Sequence, residues 1–208
     1  MTDSVPRPPP SGTVTFLFTD IEGSTRRWQD EPDAMRALLV EHDAILRDAV
    51  EKHHGHLFKH TGDGIAAAFS SAIDAVAAAA DAQARLIDVL PVRMGLHTGE
   101  AELREGDYFG TTLNRCARLM GIADGQQIVC SGATAELVRD RDDLRDLGEH
   151  RLRDLSRAEH IWQIGTGEHP PLRSLGSTPG NLPSQLTSFV GRQSDVERVS
   201  THSSRLVS

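Results

Sequence analysis

Aromatic residues are scarce in this chain: six Phe, two Trp and one Tyr make up 4% of its 208 residues. A core with so few large rings must be aliphatic and Ala-rich. The hydrophobic content of 38% is enough to build one, in a single domain of ordinary size with tails or in two very small domains. Cysteine is nearly absent. Cys116 and Cys130 allow at most one disulfide, and two free thiols in a reducing cytoplasm is the simpler reading. Positive charge is in deficit, with 22 Lys and Arg against 30 Asp and Glu. The net charge of −8, with no basic stripe, argues against a nucleic-acid partner. No apolar run reaches membrane-spanning length and the N-terminus has no signal-peptide core, so no membrane partner is expected and the expected location is cytoplasmic.

What is present is a regular alternation of short apolar runs and amphipathic segments. Residues 1–12 are Pro-rich and are expected to be disordered. Val14 to Ile21 reads as a strand. Pro32 to about His53 has helical spacing of apolar residues and ends at Gly55. His56–Thr61 and Ile65–Phe69 read as strands joined by Gly62-Asp63-Gly64, because Asp-Gly between such runs is a strong hairpin signal. Ser71 caps an Ala-rich helix running to Leu90, before Pro91. Val92–His97 is a strand with an extended piece at Glu100–Leu103; Thr111–Met120 is a helix, Gln127–Cys130 a strand and Ala133–Val138 a short helix. His150–Leu152 and His160–Ile164 are expected to form a closing edge pair. The fold class that follows is α+β: a ferredoxin-like mixed β-sheet with helices packed on one face. From Thr166 to Pro183 Gly, Pro and Ser dominate, which reads as a linker, and Ser184–Ser208 is too short for a core of its own.

The most informative segment is FLFTDIEGSTRRW, Phe16 to Trp28. A buried strand ends abruptly at Asp20, and a small Gly-containing loop leads into a potential helix. Gly23, Ser24 and Thr25 let backbone N–H groups approach an anion at a helix start. Asp20 would repel a bare phosphate, so its position beside such a cradle points to a bridging metal held by oxygen ligands, as Mg²⁺ is. Three further signals accompany it: FKHTGDG with Lys59 and Asp63, GDYFG with Asp107, and LNRCARL, where Asn114 and Arg118 are four apart and share a helix face. Each has a plainer reading. Asp63 suits a hairpin tip, Lys59 a solvated strand edge, Asp107 a charged loop, and Asn114 with Arg118 an exposed helix surface. Asp20 is harder to explain away, since an acid ending a buried strand requires compensation.

Taken in order, FTDIEGST, KHTGDG and GDYFGTTLNRCAR resemble the catalytic domain of the class III nucleotide cyclases, the adenylate and guanylate cyclases. The resemblance spans about Gly12 to Ile164, with the domain placed at 13–164 and residues 165–208 left as linker and truncated tail. It implies a head-to-tail homodimer with active sites in the subunit cleft. By position it implies that Asp20 and Asp63 bind metal, together with the backbone carbonyl of Ile21. Lys59 and Asp107 would select adenine, Asn114 would orient the ribose, and Arg118 would stabilise the transition state. The implied cofactors are two Mg²⁺ or Mn²⁺ ions per active site. The implied reaction is conversion of ATP to 3′,5′-cyclic AMP and pyrophosphate by in-line attack of the ribose 3′-hydroxyl. Adenine presents an acceptor at N1 and a donor at N6, which fits Lys59 as donor and ionised Asp107 as acceptor; guanine does not. A guanylate cyclase and a non-catalytic nucleotide sensor remain the alternatives.

The histidines at 53, 54, 56 and 60 match no standard zinc spacing. Cys116 lies between Asn114 and Arg118 on a different helix face and reads as core. The tail from Asn181 to Val199 resembles the junction that joins a cyclase domain to a P-loop ATPase domain in actinobacterial regulators, many of which end in a helix-turn-helix.

Overall fold

The computed structural model describes residues 8–175. The first strand, β1 (Gly12–Ile21), is an interior strand of the sheet. Its side chains alternate between two buried faces: Leu17 and Ile21 point one way, Val14 and Phe16 the other. After it come α1 (Ser24–Asp30), α2 (Pro32–Lys52), the hairpin β2 (His56–His60) and β3 (Ile65–Phe69), α3 (Ala72–Leu86), and the long strand β4 (Val92–Arg104). A short β5 (Asp107–Phe109), α4 (Thr111–Ile122), β6 (Ile128–Ser131), α5 (Gly132–Leu137), β7 (Leu144–His150) and β8 (Glu159–Ile164) complete the regular structure of the described residues. The sheet order is β2-β3-β1-β4-β6-β8-β7, with β5 folded back on β4. Every pairing is antiparallel except β4–β6, which is parallel. The chain between those two parallel strands crosses over through α4, as a parallel pair requires.

The α+β assignment and the mixed sheet hold, but the expectation of helices on one face does not. Helices α2, α3 and α5 cover the face of Leu17, Met94 and Leu96. Helix α4 covers part of the opposite face, where Cys116 packs with Val14, Phe16 and Tyr108, and Leu119 and Ile122 pack with Val129. The physical cause is in β1 itself. Both of its faces are apolar, so one layer of helices would have left Phe16 in water. Gly95 permits the close approach, because a Cβ there would lie 2.5 Å from the Met120 backbone nitrogen. On the other face, Ala75, Ala78, Ala79 and Ala82 let α3 settle on the sheet, and the Ser71 hydroxyl caps it by accepting from the Asp74 N–H at 3.3 Å.

Several boundaries also differ from expectation. Helix α3 stops at Leu86, whose carbonyl accepts from both Val89 and Leu90 in a terminal turn. The two extended pieces expected at 92–103 are one strand, β4. The partner of β8 is β7 at Leu144–His150 rather than His150–Leu152, because the Leu144 and Leu147 side chains pack inward and set the register. The expected disordered start does not apply to residues 8–12: Pro10 is buried, its carbonyl accepts from the Tyr108 hydroxyl at 2.7 Å, and Gly12 is already in β1. Nor is 165–175 a bare linker, since Leu172 is buried against Leu119 and Ile122. The resemblance noted for Asn181–Val199 lies outside the described residues. Cys116 and Cys130 are free, buried thiols in separate core clusters on opposite sides of the sheet.

Burial of His97 on β4 carries a measurable consequence. Its Nδ1 lies 2.7 Å from the Ser131 hydroxyl, and burial, assisted by the Arg115 charge, pushes its pKa down to about 4. A histidine whose folded pKa is depressed binds fewer protons than the unfolded chain between that value and 6.5. Stability is therefore fully present above 6.5 and is lost as pH falls toward 4, by on the order of 3 kcal/mol. Thermal unfolding followed from pH 7 to pH 4 should show this loss, and His97→Gln should flatten it. An unchanged profile in the variant would assign the acid sensitivity to other groups.

Candidate active site

Strand pairing brings the two acids together. β1 and β3 are antiparallel, with Phe18 opposite Ala66, so the end of β1 lies beside the β2–β3 hairpin tip. The contact is tight: the Ile21 N–H donates to the Asp63 carbonyl at 3.0 Å, and the Ile65 N–H donates to Thr19 Oγ1 at 3.0 Å. Thr61 closes the tip, donating through its N–H to the Gly64 carbonyl at 2.9 Å. The Asp20 and Asp63 carboxyl groups consequently line the same cleft, close enough for the Asp63 charge to bear on Asp20. The Ser24 hydroxyl donates to Asp63 Oδ2 at 2.8 Å, tying the start of α1 to the same point.

Two carboxylates held together in a half-buried place need compensation. Burial raises the pKa of Asp20, and the Asp63 charge adds to the rise; Arg93 opposes it. Arg93 Nε donates to Asp20 Oδ2 at 2.7 Å from directly across the strand pair. Arg93 was not singled out in the sequence. Its relation to Asp20 depends on the β1–β4 register, a pairing across 73 positions that no local pattern encodes. Arg93 occupies one oxygen of Asp20 and Ser24 one oxygen of Asp63, which leaves each carboxylate a second oxygen.

Beside this pair lies a cleft of about 470 Å³. Its lining includes Asp20, Asp63, Lys59, Asp107 and Asn114. Five of the residues marked in the sequence are thus collected by three separate parts of the fold: the end of β1, the β2–β3 hairpin, and the β5–α4 segment. The floor is aromatic. Phe58 and Tyr108 have ring centroids 4.8 Å apart, and Phe16 packs edge-on against Tyr108 at 5.1 Å. Nearly half of the chain's nine aromatic residues lie in this cluster with Phe18. Asp107 is fixed at the start of β5 by accepting from the Tyr108 N–H at 2.8 Å.

Arg118 is not brought into the cleft. It leaves α4 to donate to Asp154 Oδ2 at 2.7 Å, and both side chains are exposed. The three cradle residues also diverge. Gly23 caps α1 with φ 69°, Ser24 reaches Asp63, and Thr25 is exposed. Gly23 instead borders a second groove of about 450 Å³ with Arg26, Arg27 and Met35. Ile21 has its side chain in the core, leaving only its backbone to the site. The oxygen-only donor set of Asp20, Asp63 and the Ile21 carbonyl fits a hard divalent cation. Among the described residues no cluster of three or more His, Cys, Asp or Glu side chains offers a different metal centre. Two of the histidines near Gly55 lie against acids elsewhere: His53 is 3.4 Å from Asp81, and His60 is 3.0 Å from Asp43.

Comparison with known proteins agrees with this geometry. The family model described as the adenylate and guanylate cyclase catalytic domain matches residues 7–164. An uncharacterized protein of Mycobacterium tuberculosis is 42% identical over 203 residues, covering 92% of this chain and 71% of that protein. A putative adenylate cyclase of Rhizobium meliloti is 32% identical over 161 residues, covering 72% of this chain and 27% of that protein. Among solved structures, an adenylate cyclase of Trypanosoma brucei, analysed in its monomeric state, superimposes with a TM-score of 0.73 at 26% identity, covering 84% of this chain and 99% of that one. Among the described residues no helix is long and apolar enough to cross a membrane. With its central strand, hairpin tip and cleft arranged in this way, the chain belongs to the adenylate and guanylate cyclase catalytic domain family.

Proposed function

We propose that the chain is an adenylate cyclase that converts ATP to 3′,5′-cyclic AMP and pyrophosphate. The observation that carries this reading is the gathering of Asp20, Asp63, Lys59, Asp107 and Asn114 around one cleft. Asp20, Asp63 and the Ile21 carbonyl would hold two Mg²⁺ or Mn²⁺ ions. Such ions lower the pKa of the attacking hydroxyl and neutralise charge on the phosphates. The chain's own contribution is position and polarity. Lys59 can only donate and Asp107 accepts, which suits the N1 and N6 edge of adenine. Asn114 orients the ribose so that its 3′-hydroxyl faces the α-phosphorus in line. Arg118 supplies a fixed donor fork for the charge that develops on the α-phosphate.

The working unit is a head-to-tail homodimer, with Asp20 and Asp63 of one protomer facing Lys59, Asp107, Asn114 and Arg118 of its partner. Two features support this. Lys59, Asp107 and Asn114 border the same open cleft as the two carboxylates, so a two-fold axis passing over it would present one protomer's carboxylates to its partner's base- and ribose-binding groups. Arg118 points away from its own protomer's carboxylates. We take 13–164 as the cyclase segment proper, within a fold that continues to residue 175, and the two reduced thiols fit a cytoplasmic location. The test is a direct competition of ATP and GTP with Mn²⁺ present, reading both cyclic products. Cyclic AMP should dominate, and Lys59→Glu should shift the ratio toward cyclic GMP by roughly 10-fold or more. Dominant cyclic GMP from the wild type would favour a guanylate cyclase. Tight ATP binding with no pyrophosphate release would favour a nucleotide sensor.

A further inference from the structure

The family match ends at residue 164, yet the fold does not. Residues 165–175 run back across the domain. The Gly165 N–H donates to the Asp143 carbonyl at 2.9 Å, and Gln163 Nε2 donates to the Gly167 carbonyl at 2.6 Å. Leu172 is inserted among Leu119, Ile122 and Leu152. On either side of it the backbone is fixed: Arg173 N–H to the Ile122 carbonyl at 3.0 Å, and Leu175 N–H to the Arg151 carbonyl at 3.0 Å. This registration delivers the Arg173 guanidinium to one place. Its Nη2 donates to Asp124 Oδ1 at 2.7 Å and also to Glu22 Oε1.

Glu22 is the residue between Ile21 and Gly23, so it sits inside the loop on which the proposed metal and phosphate contacts depend. It is held on three sides. Its N–H donates to the Pro91 carbonyl at 2.8 Å, its Oε2 accepts from the Gly125 N–H at 2.9 Å, and its Oε1 takes Arg173. A Cβ at position 125 would lie 2.6 Å from Glu22 Oε2 and 2.9 Å from Pro91 Cβ, so a side chain there would push Glu22 out of this place. The Glu22 and Asp124 carboxylates thus share one guanidinium nitrogen, and the Arg93 charge also acts on Glu22. An exposed ion pair alone contributes little. Here the guanidinium bridges two loops and is anchored by a buried leucine beside it, which makes it part of a network.

We infer that residues 165–175 are a strap, and that Arg173 is a positioning residue which holds Glu22, and through it Ile21 and Ser24, against the α4–β6 turn. The inference rests on the proposed function for its consequence in metal binding, but the strap itself is readable without activity. Amide hydrogen exchange and Mn²⁺ binding, the latter by the electron spin resonance of free Mn²⁺, should be measured on wild type, Arg173→Met and Arg173→Lys. In Arg173→Met the Glu22 and Gly125 amides should exchange about tenfold faster while the β1 interior is unchanged, and the Mn²⁺ dissociation constant should rise by a similar factor. Arg173→Lys should recover most of both. Unchanged exchange at Glu22 and Gly125, or a uniform rise over the whole sheet, would overturn the strap. Faster exchange with unaltered Mn²⁺ affinity would overturn its positioning role. If the wild type itself binds no Mn²⁺ while Arg173→Met still loosens Glu22 and Gly125, the strap stands and the proposed function falls.

Discussion

Asp63→Ala is expected to lower cyclic AMP formation by roughly 10²–10³-fold with little change in folding, since catalysis of phosphoryl transfer rests on charge stabilisation and position. The variant removes one of two carboxylates that converge at the end of β1, and the remaining Asp20 already shares an oxygen with Arg93. A single carboxylate beside a guanidinium is a poor site for a divalent cation. The stability arm has a definite sign. Asp20 has its carboxyl pKa raised, by burial first and by the Asp63 charge as well. A carboxyl whose folded pKa lies above its unfolded value loses stability as pH rises from about 3.8 through the raised value. Removing Asp63 takes away part of that loss. The metal-free variant should therefore melt no lower than wild type at pH 7. Ser24 loses its acceptor, but its half-exposed hydroxyl can turn to water. The measurement is cyclic AMP formation with Mn²⁺ beside thermal unfolding without metal. Activity within threefold of wild type would remove Asp63 from the mechanism. A large drop in melting temperature would make it a structural residue.

Gly64→Ala is expected to cost about 3 kcal/mol or more, because overpacking against rigid backbone cannot be relieved by rotating a side chain. A Cβ at position 64 would lie 1.9 Å from the Thr19 carbonyl oxygen and 2.7 Å from its carbon. The adjoining strands β1 and β3 are both interior to the sheet, and neither can move without breaking pairing. The hairpin tip must lift, and the Ile21–Asp63 and Ile65–Thr19 hydrogen bonds go with it. In a domain of this size such a cost lowers the melting temperature by roughly 6–12 °C. The same movement separates Asp20 from Asp63, so Mn²⁺ binding should fall along with stability. Gly62→Ala is the control. It lies in the same turn at φ 95° with open space around it, and should cost about 1 kcal/mol from backbone strain alone. Equal melting temperatures for the two variants would show that the hairpin tip yields easily and that the close approach does not fix the site.

The local signals were strong where a single segment carried them. The Val14–Ile21 run, the Asp-Gly hairpin, the Ser71 cap and the helical spacing from Pro32 each specify an element through nearest neighbours, and each is found within a few residues of its expected place. The β7 strand was missed because Leu144–His150 carries three charged residues and a glycine, and gains its pairing only from β8. Residues 165–175 read as linker because they open a stretch rich in Gly, Pro and Ser with no apolar periodicity; Leu172 is the buried one of their two leucines, and its partners lie on α4 and at Leu152.

The division follows from the range of the forces involved. Sequence by itself determined which chemistry the chain can offer: acids at the ends of strands, a lysine and an aspartate of opposite hydrogen-bond polarity, and an amide and a guanidinium four residues apart on a helix. Those are properties of residue type and short spacing. Only the tertiary structure decided which of them meet. The β1–β3 pairing brings Asp20 to Asp63, the β1–β4 register sets Arg93 on Asp20, and the return of the chain at 165–175 brings Arg173 to Glu22 across 151 positions. Register is fixed by burying both faces of β1 at once, and the chain return by burying Leu172 against α4, β6 and β8, collective outcomes that no segment of the sequence contains alone.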